Sequence, residues 1–278
     1  MNTLRFRLQF YLITLLVIII FGTIAFKTIE GVTLTEAFYF IIVTIATVGY
    51  GDIHPVTDAG RLLTIVLIVL GVGTFLGVVA NATELMLNRR EQQTITNKIN
   101  MLIGVFFSEA GTKLIQLFSD NDPNMETILD ELQIRASSKA HDFDMIQRHL
   151  ANYPFDVKIA QLDLAGLCSF LQEKRGLLVG LLVNPTLLEH AHFTDLLRAV
   201  FHLTEELGYR KDFENLPASD KEHIAGDIKR AYKRLVEQWV MYMKYLKVHY
   251  PYLFSLAVRM SPYNRSASPV VTSSSMIL

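Results

Sequence analysis

Six consecutive residues, Thr47-Val48-Gly49-Tyr50-Gly51-Asp52, carry the most distinctive chemistry in this sequence, and it is backbone chemistry. Glycines 49 and 51 can take φ > 0, so an extended segment here can turn successive carbonyls to one side instead of alternating them. A row of such oxygens can replace an ion's hydration shell. Other chemistry-bearing groups are sparse. Glu189, His190 and His192 lie close together, and His202 with Glu206 has the i,i+4 spacing that shares a helix face. Histidines beside carboxylates are common without metal, and no second histidine follows on the 194–207 stretch, so no transition-metal site is assigned. The single cysteine, Cys168, excludes an intrachain disulfide and any multi-cysteine metal site, and its apolar neighbours predict a buried, inert thiol. No nucleophile elbow, phosphate loop, H-E-x-x-H motif or paired-carboxylate signature is present, so no enzymatic activity is expected.

The elements that must hold such a segment are legible around it. The chain has 278 residues, 51% of them hydrophobic and only 19% charged, too apolar for a wholly water-soluble core. Leu8 to Phe26 runs nineteen residues without a charge, close to the length that crosses a bilayer. A cleaved signal peptide fits less well, because the apolar stretch is too long and no small-x-small site follows it. A second stretch lies between Arg61 and Glu84. Arg5 and Arg7 before the first, and Arg89 and Arg90 after the second, put both chain ends on the cytoplasmic side. Between them, Thr33 and Glu36 have capping-box spacing, and the apolar run from Ala37 to Ala46 suits a half-depth helix. Irregular backbone at membrane depth is tolerated only inside protein or along a watery path.

Thr47-Val48-Gly49-Tyr50-Gly51 is the potassium-filter pentapeptide, and residues 8–93 resemble the two-transmembrane-helix prokaryotic potassium channels. From Phe38 to about Gln93 the likeness is greatest to the pores of calcium-gated members, through Val43 to Asp52 and then Leu67-Ile68-Val69-Leu70-Gly71-Val72-Gly73-Thr74-Phe75. The resemblance implies a homotetramer in the plasma membrane, with potassium ions held by the carbonyls of Thr47, Val48, Gly49 and Tyr50 and by the Thr47 hydroxyl. It implies that Gly51 closes the filter, that Tyr50 packs on the pore helices, and that a pore helix ending near Ala46 aims its negative dipole end at a central cavity. Gly71, with Gly73 nearby, falls where the family bends its inner helix; small residues for close packing are the alternative. Glu84 falls near the inner mouth, as an acidic ring or as an interfacial carboxylate. Val43 stands where some relatives place a glutamate, so a proton-sharing pair behind the filter is absent. No helix repeats arginine every third residue, so no voltage sensor is expected.

Beyond the pore the resemblance stops. Residues 88–278 hold 22 basic and 22 acidic side chains, a balanced composition without the basic excess of a nucleic-acid footprint. No G-x-G-x-x-G and no βαβ alternation appear, so the doubly wound regulatory domain of calcium-gated relatives is not expected. Residues 99–118 fit an amphipathic helix, Asp120 to Asn124 a turn opening Met125 to Ile134, and Thr194 to Leu207 another helix. Phe155, Val157 and Ile159 alternate as a strand would, and Leu177 to Val183 is a short apolar run; both are read as helical or irregular. Ser219-x-x-Glu222 has capping-box spacing before a seam of Ile228, Tyr232, Leu235, Trp239, Tyr242, Leu246 and His249, which pairs subunits or packs internally.

The expected protein is therefore mainly α. Residues 1–96 form a pore domain, with an outer helix at 8–26, pore helix and filter at 34–52 and inner helix at 61–88. A helical cytoplasmic domain spans 97–260 and a disordered tail 261–278. Its expected partners are membrane lipid, further copies of itself and a cytoplasmic ligand or protein not readable from these residues. The competing reading is a membrane-anchored sensor or scaffold.

Overall fold

The computed structural model describes residues 2–264 and 267–271; the side chains of Arg89 and Glu189, both singled out above, lie outside the described set. The chain divides into two compact units, residues 1–94 and 95–278. The fold is nearly all helical, with no strand among the described residues.

In the first unit, α1 (Asn2–Glu30) extends beyond the apolar 8–26 stretch at both ends, because Arg5, Arg7 and Lys27 still have good helix propensity. The short helix α2 (Leu34–Ile45) begins with the capping box: the Glu36 amide donates to Thr33 Oγ1 at 3.3 Å, and the Thr33 amide donates to the Glu36 carboxylate at 2.8 Å. The chain returns through α3 (Asp58–Leu67), a π-helical turn at Ile68–Val72, and α4 (Gly73–Phe106). Both α1 and the helical run Asp58–Ser119 are long and apolar enough to cross a membrane. Phe26, Ala37, Phe40, Ile41, Ile45 and Leu67 form a small core where α1, α2 and α3 meet, with Phe26 and Phe40 stacked at 4.1 Å. Most other apolar side chains of α1 and of residues 58–87 face outward, as lipid or neighbouring helices require.

The second unit is a helical domain with its own core. After the end of α4 come a π-helical turn at Phe107–Gly111, α5 (Thr112–Ser119), the four-residue α6 (Leu129–Leu132) and α7 (Ala140–Asn152). Then follow α8 (Leu164–Leu182), α9 (Ala191–Gly208), α10 (Ala218–His249) and α11 (Pro251–Arg259). Leu177 to Leu182 belong to α8, and Phe155 and Val157 are buried in irregular chain before a 3-10 turn at Ile159–Gln161. The alternation there serves packing: Phe155 meets the ring of Tyr232 edge-on at 5.1 Å. Ile228, Tyr232, Leu235, Trp239 and Leu246 are buried within the unit, Tyr242 is half-buried and His249 exposed, so the seam faces its own domain.

Two expectations need correction. The Ser219–Glu222 capping box does not form: α10 starts at Ala218 after Pro217, with no side-chain cap. Pro217 takes the N-cap position two residues early, so Ser219 is already helical and cannot take the non-helical conformation a cap needs. Asp220 is held instead by Arg210, which donates to both its oxygens at 2.9 and 2.7 Å and also to the Glu206 carboxylate at 2.8 Å. Those bonds hold the Asp220 and Glu206 carboxyls below their ordinary range. The expected tail at 261–278 begins as packed structure: Ser261 and Tyr263 are buried, and the Tyr263 ring meets Trp239 edge-on at 5.2 Å. An aromatic ring recovers enough apolar burial to order the segment that carries it; residues 265–266 and 272–278 lie outside the described set. Tyr263→Ala is expected to destabilise the second unit by about 3 kcal/mol, as a lower denaturant midpoint at unchanged slope. An unchanged midpoint would show that the ring does not pack.

Candidate functional site: the filter segment and its supports

Helix α2 delivers the chain to the filter segment. It ends at Ile45, and Ala46 still donates to the Ile42 carbonyl at 2.9 Å. The Thr47 amide donates to the Thr44 carbonyl at 3.0 Å, and the Val43 carbonyl accepts from the amides of Val48 at 3.0 Å and Gly49 at 3.3 Å. The last turn of α2 therefore occupies the first filter amides, while the carbonyls of Thr47, Val48, Gly49 and Tyr50 are left for other partners. Thr47, Gly49 and Gly51 all have positive φ, at 58°, 52° and 79°. Left-handed residues at every second position cancel the up-down alternation of an extended chain, which is the backbone condition for a single row of oxygens. Thr47 is the only non-glycine residue in that region among the described residues. A β-branched side chain there is strained, and such strain persists only where the surroundings impose it.

Two supports escaped the sequence reading. Tyr39 on α2 donates its hydroxyl to Asp52 Oδ2 at 2.9 Å, tying the far end of the filter segment to the pore helix. At the end of α1, the Glu30 carboxylate accepts from the amides of Val56 and Thr57, both at 3.1 Å, and from the Thr57 hydroxyl at 2.7 Å. Glu30 thus joins the outer helix to the start of α3, whose N-cap is Thr57. A carboxylate at the end of an apolar span was the available signal, but its partner lies 26 and 27 residues away. Val48 and Tyr50 are 52% and 72% exposed.

The structure separates the two glycines expected at the bend. Gly71 is buried inside the π-helical turn, and a Cβ there would lie 2.7 Å from Ile45 Cγ1. Gly73, one turn's fraction further on, would meet nothing within 4 Å. The π-turn itself removes one regular hydrogen-bond register from the helix, a device found at functional bends. Glu84 is exposed on α4.

In the second unit the expected His202–Glu206 pair is rearranged. His202 Nε2 faces Asp227 Oδ2 on α10 at 3.3 Å, His223 Nε2 faces the same oxygen at 3.5 Å, and Glu206 is taken by Arg210. Asp227, missed from the sequence, is buried and bonded to Arg230 at 2.9 Å. No group of three or more His, Cys, Asp or Glu side chains is arranged to hold a metal among the described residues. His190 caps α9, its Nδ1 accepting from the Phe193 amide at 3.1 Å, and burial pushes its pKa down. Cys168 is half-buried, less enclosed than expected because α8 turns it toward the edge of the core, and burial pushes its thiol up.

Comparison with known proteins completes this description. Residues 95–259 match the family described as uncharacterized protein MJ1433, C-terminal helical domain. The chain is 39% identical over 184 residues to that protein from Methanocaldococcus jannaschii, covering 66% of this chain and 74% of the relative. The chain belongs to the MJ1433 family. Residues 13–88 match the ion channel family. The chain is also 39% identical over 67 residues to potassium channel protein 1 of M. jannaschii and 38% identical over 96 residues to two-pore potassium channel 4 of Arabidopsis thaliana. These alignments cover 24% and 32% of this chain and only 20% and 34% of the two channels. An ion-channel module thus precedes an MJ1433-type helical domain, which is not a nucleotide-binding regulatory domain.

Gly71→Ala is expected to overpack the Ile45 contact and lower the thermal stability of the solubilised protein by about 1–3 kcal/mol, and Ile45→Ala in the same chain should restore it. Restored stability with persistently altered gating would instead assign Gly71 to the bend.

Proposed function

We propose that the chain is a subunit of a potassium-selective channel, a homotetramer in the plasma membrane with both ends cytoplasmic. The observation that carries this reading is the run of positive φ at Thr47, Gly49 and Gly51 inside the potassium-filter pentapeptide, directly after the pore helix. Potassium ions would be coordinated by the carbonyls of Thr47, Val48, Gly49 and Tyr50 and the Thr47 hydroxyl, with Gly51 ending the row. One chain supplies a quarter of each oxygen cage, so four copies around an axis are needed, and the exposed Val48 and Tyr50 side chains would then pack on neighbouring subunits. Tyr39 and Glu30 resist widening of the filter by fastening its outer end. The negative end of the α2 dipole adds a cation preference below it.

In this reading residues 1–96 are the pore domain and 97–260 the cytoplasmic body. The gate uses the π-turn around Gly71 and Gly73, and four copies of Glu84 concentrate cations at the inner mouth. Helix α4 runs from Gly73 to Phe106 without a break, so the inner helix and the first helix of the body are one element. In this reading the body acts on the gate through that helix.

Potassium-driven flux into liposomes holding the purified chain tests the pore: potassium should enter, sodium under a matched gradient should not, and Gly49→Asp should abolish entry. Tetramers of a chain truncated after Gln93 that still pass no potassium would favour the anchored scaffold. The same truncation tests the body: its open probability should differ from that of the full chain, and an unchanged value in an assembled tetramer would remove the body from gating.

A further inference from the structure

The second unit holds an apolar cavity of about 480 Å³, where the end of α4 and the π-helical turn after it meet the last turns of α10 and the start of α11. That volume lies within the range of small-molecule sites. Four tyrosines line it: Tyr242 and Tyr245 from α10, Tyr250 from the corner that follows, and Tyr252 from α11. Two of the rings are held by neighbours outside the cavity. Tyr242 stacks on the buried Phe107 at 5.6 Å, and Tyr245 donates its hydroxyl to Asn97 Oδ1 at 3.0 Å. Gly104 makes room for Tyr242, since a Cβ there would lie 2.6 Å from the hydroxyl oxygen. The aromatic wall is therefore built before anything binds, which lowers the cost of binding.

The lining also has a sign. Among the described residues no Lys, Arg or His borders the cavity, and its one charged side chain is Glu109. Lys174 donates to Glu109 at 3.1 Å but also lies 3.2 Å from Glu173, so one ammonium stands between two carboxylates and a negative charge is left over. Aromatic ring faces are negative as well. Tyr250 and Tyr252 stand at 85° with centroids 6.4 Å apart, and Tyr245 lies 5.8 Å from Tyr250. A cation about 4.5 Å above each of two perpendicular faces puts their centroids about 6.4 Å apart, so this corner has the dimensions of a cation cage. Glu109 itself belongs to the π-helical turn Phe107–Gly111, a rare irregularity that is frequent at functional sites. An anion would be repelled by Glu109 and the ring faces, and a bare inorganic cation would gain nothing from the apolar walls.

We propose that this cavity binds a small organic cation, an alkyl-substituted ammonium ion. Its charge faces Glu109 and the corner of Tyr245, Tyr250 and Tyr252, and its alkyl groups fill the space beside Leu246 and Leu253. The site lies wholly within the second unit and does not rest on the channel reading.

Calorimetry on the full chain in uncharged detergent tests this with choline, benzyltrimethylammonium and 3,3-dimethylbutan-1-ol, the neutral carbon analogue of choline. Saturable binding of at least one cation, tighter than the alcohol by about threefold or more, is the expected result. Tyr252 is 71% exposed, so replacing it leaves the core intact. Tyr252→Leu keeps apolar surface but removes the ring face and should weaken cation binding by about threefold or more, while Tyr252→Phe should keep it within about twofold. Glu109→Gln should weaken it by about threefold or more through the lost charge. A cation lodged in the ion-channel module instead would bind unchanged in all three variants. No saturable binding of either cation, equal binding of the alcohol, or unchanged binding in Tyr252→Leu or Glu109→Gln overturns the proposal. None of these readouts uses conduction, so potassium flux stands or falls separately.

Discussion

Backbone carbonyls deprived of hydrogen-bond partners at membrane depth are expensive, and the proposed channel requires the first unit to hold a short row of them. In the proposed channel, residues 47–51 cannot be stabilised by their own ladder of bonds without losing the oxygens that would coordinate an ion. Their conformation has to be imposed from outside. The last turn of α2 takes the first amides through the Val43 and Thr44 carbonyls, Tyr39 takes Asp52, and Glu30 holds the chain just beyond it at Val56 and Thr57. Thr47 at φ 58° measures how firmly the imposition works, since a β-branched residue does not stay there unaided.

The same constraint explains the small core beneath the filter. Ile45 is the last residue of α2 and is almost fully buried, and Gly71 in the π-turn leaves room for it. The inner helix therefore touches the pore helix closely at the place where its own hydrogen bonding is irregular. A residue without Cβ allows the contact, and the extra residue in the π-turn weakens the helix at the same level.

The second unit obeys ordinary soluble-protein physics. Its core is built on α10, whose buried face includes Tyr232 wedged edge-on between Phe118 and Phe155. Burial raises the Asp122 carboxyl above its ordinary range, while the Tyr153 hydroxyl donates to it at 2.8 Å. An MJ1433-type domain attached to an ion-channel module therefore combines two folding problems: apolar helices that face outward in the first unit, and a conventional apolar interior in the second.

The features visible in the sequence were those set by local rules. Apolar length announces a span, Thr33 and Glu36 announce a helix start, and alternate glycines announce unusual backbone, because each depends on residues a few positions apart. The helical body was legible for the same reason, from periodicity along α9 and α10. Long-range pairings were not. Glu30 with Thr57, His202 and His223 with Asp227, and Tyr263 against Trp239 join residues from different elements, and nothing in the spacing of either partner marks the other. Ser219 shows the converse: a capping-box pattern was overridden two residues earlier by Pro217. By itself the sequence determined that the chain is mainly helical, which segments are apolar enough to enter a membrane, and that the backbone at Gly49 and Gly51 departs from regular structure. Only the tertiary structure decided which polar groups satisfy one another and which are left open, because hydrogen bonding across elements depends on distances that folding alone creates.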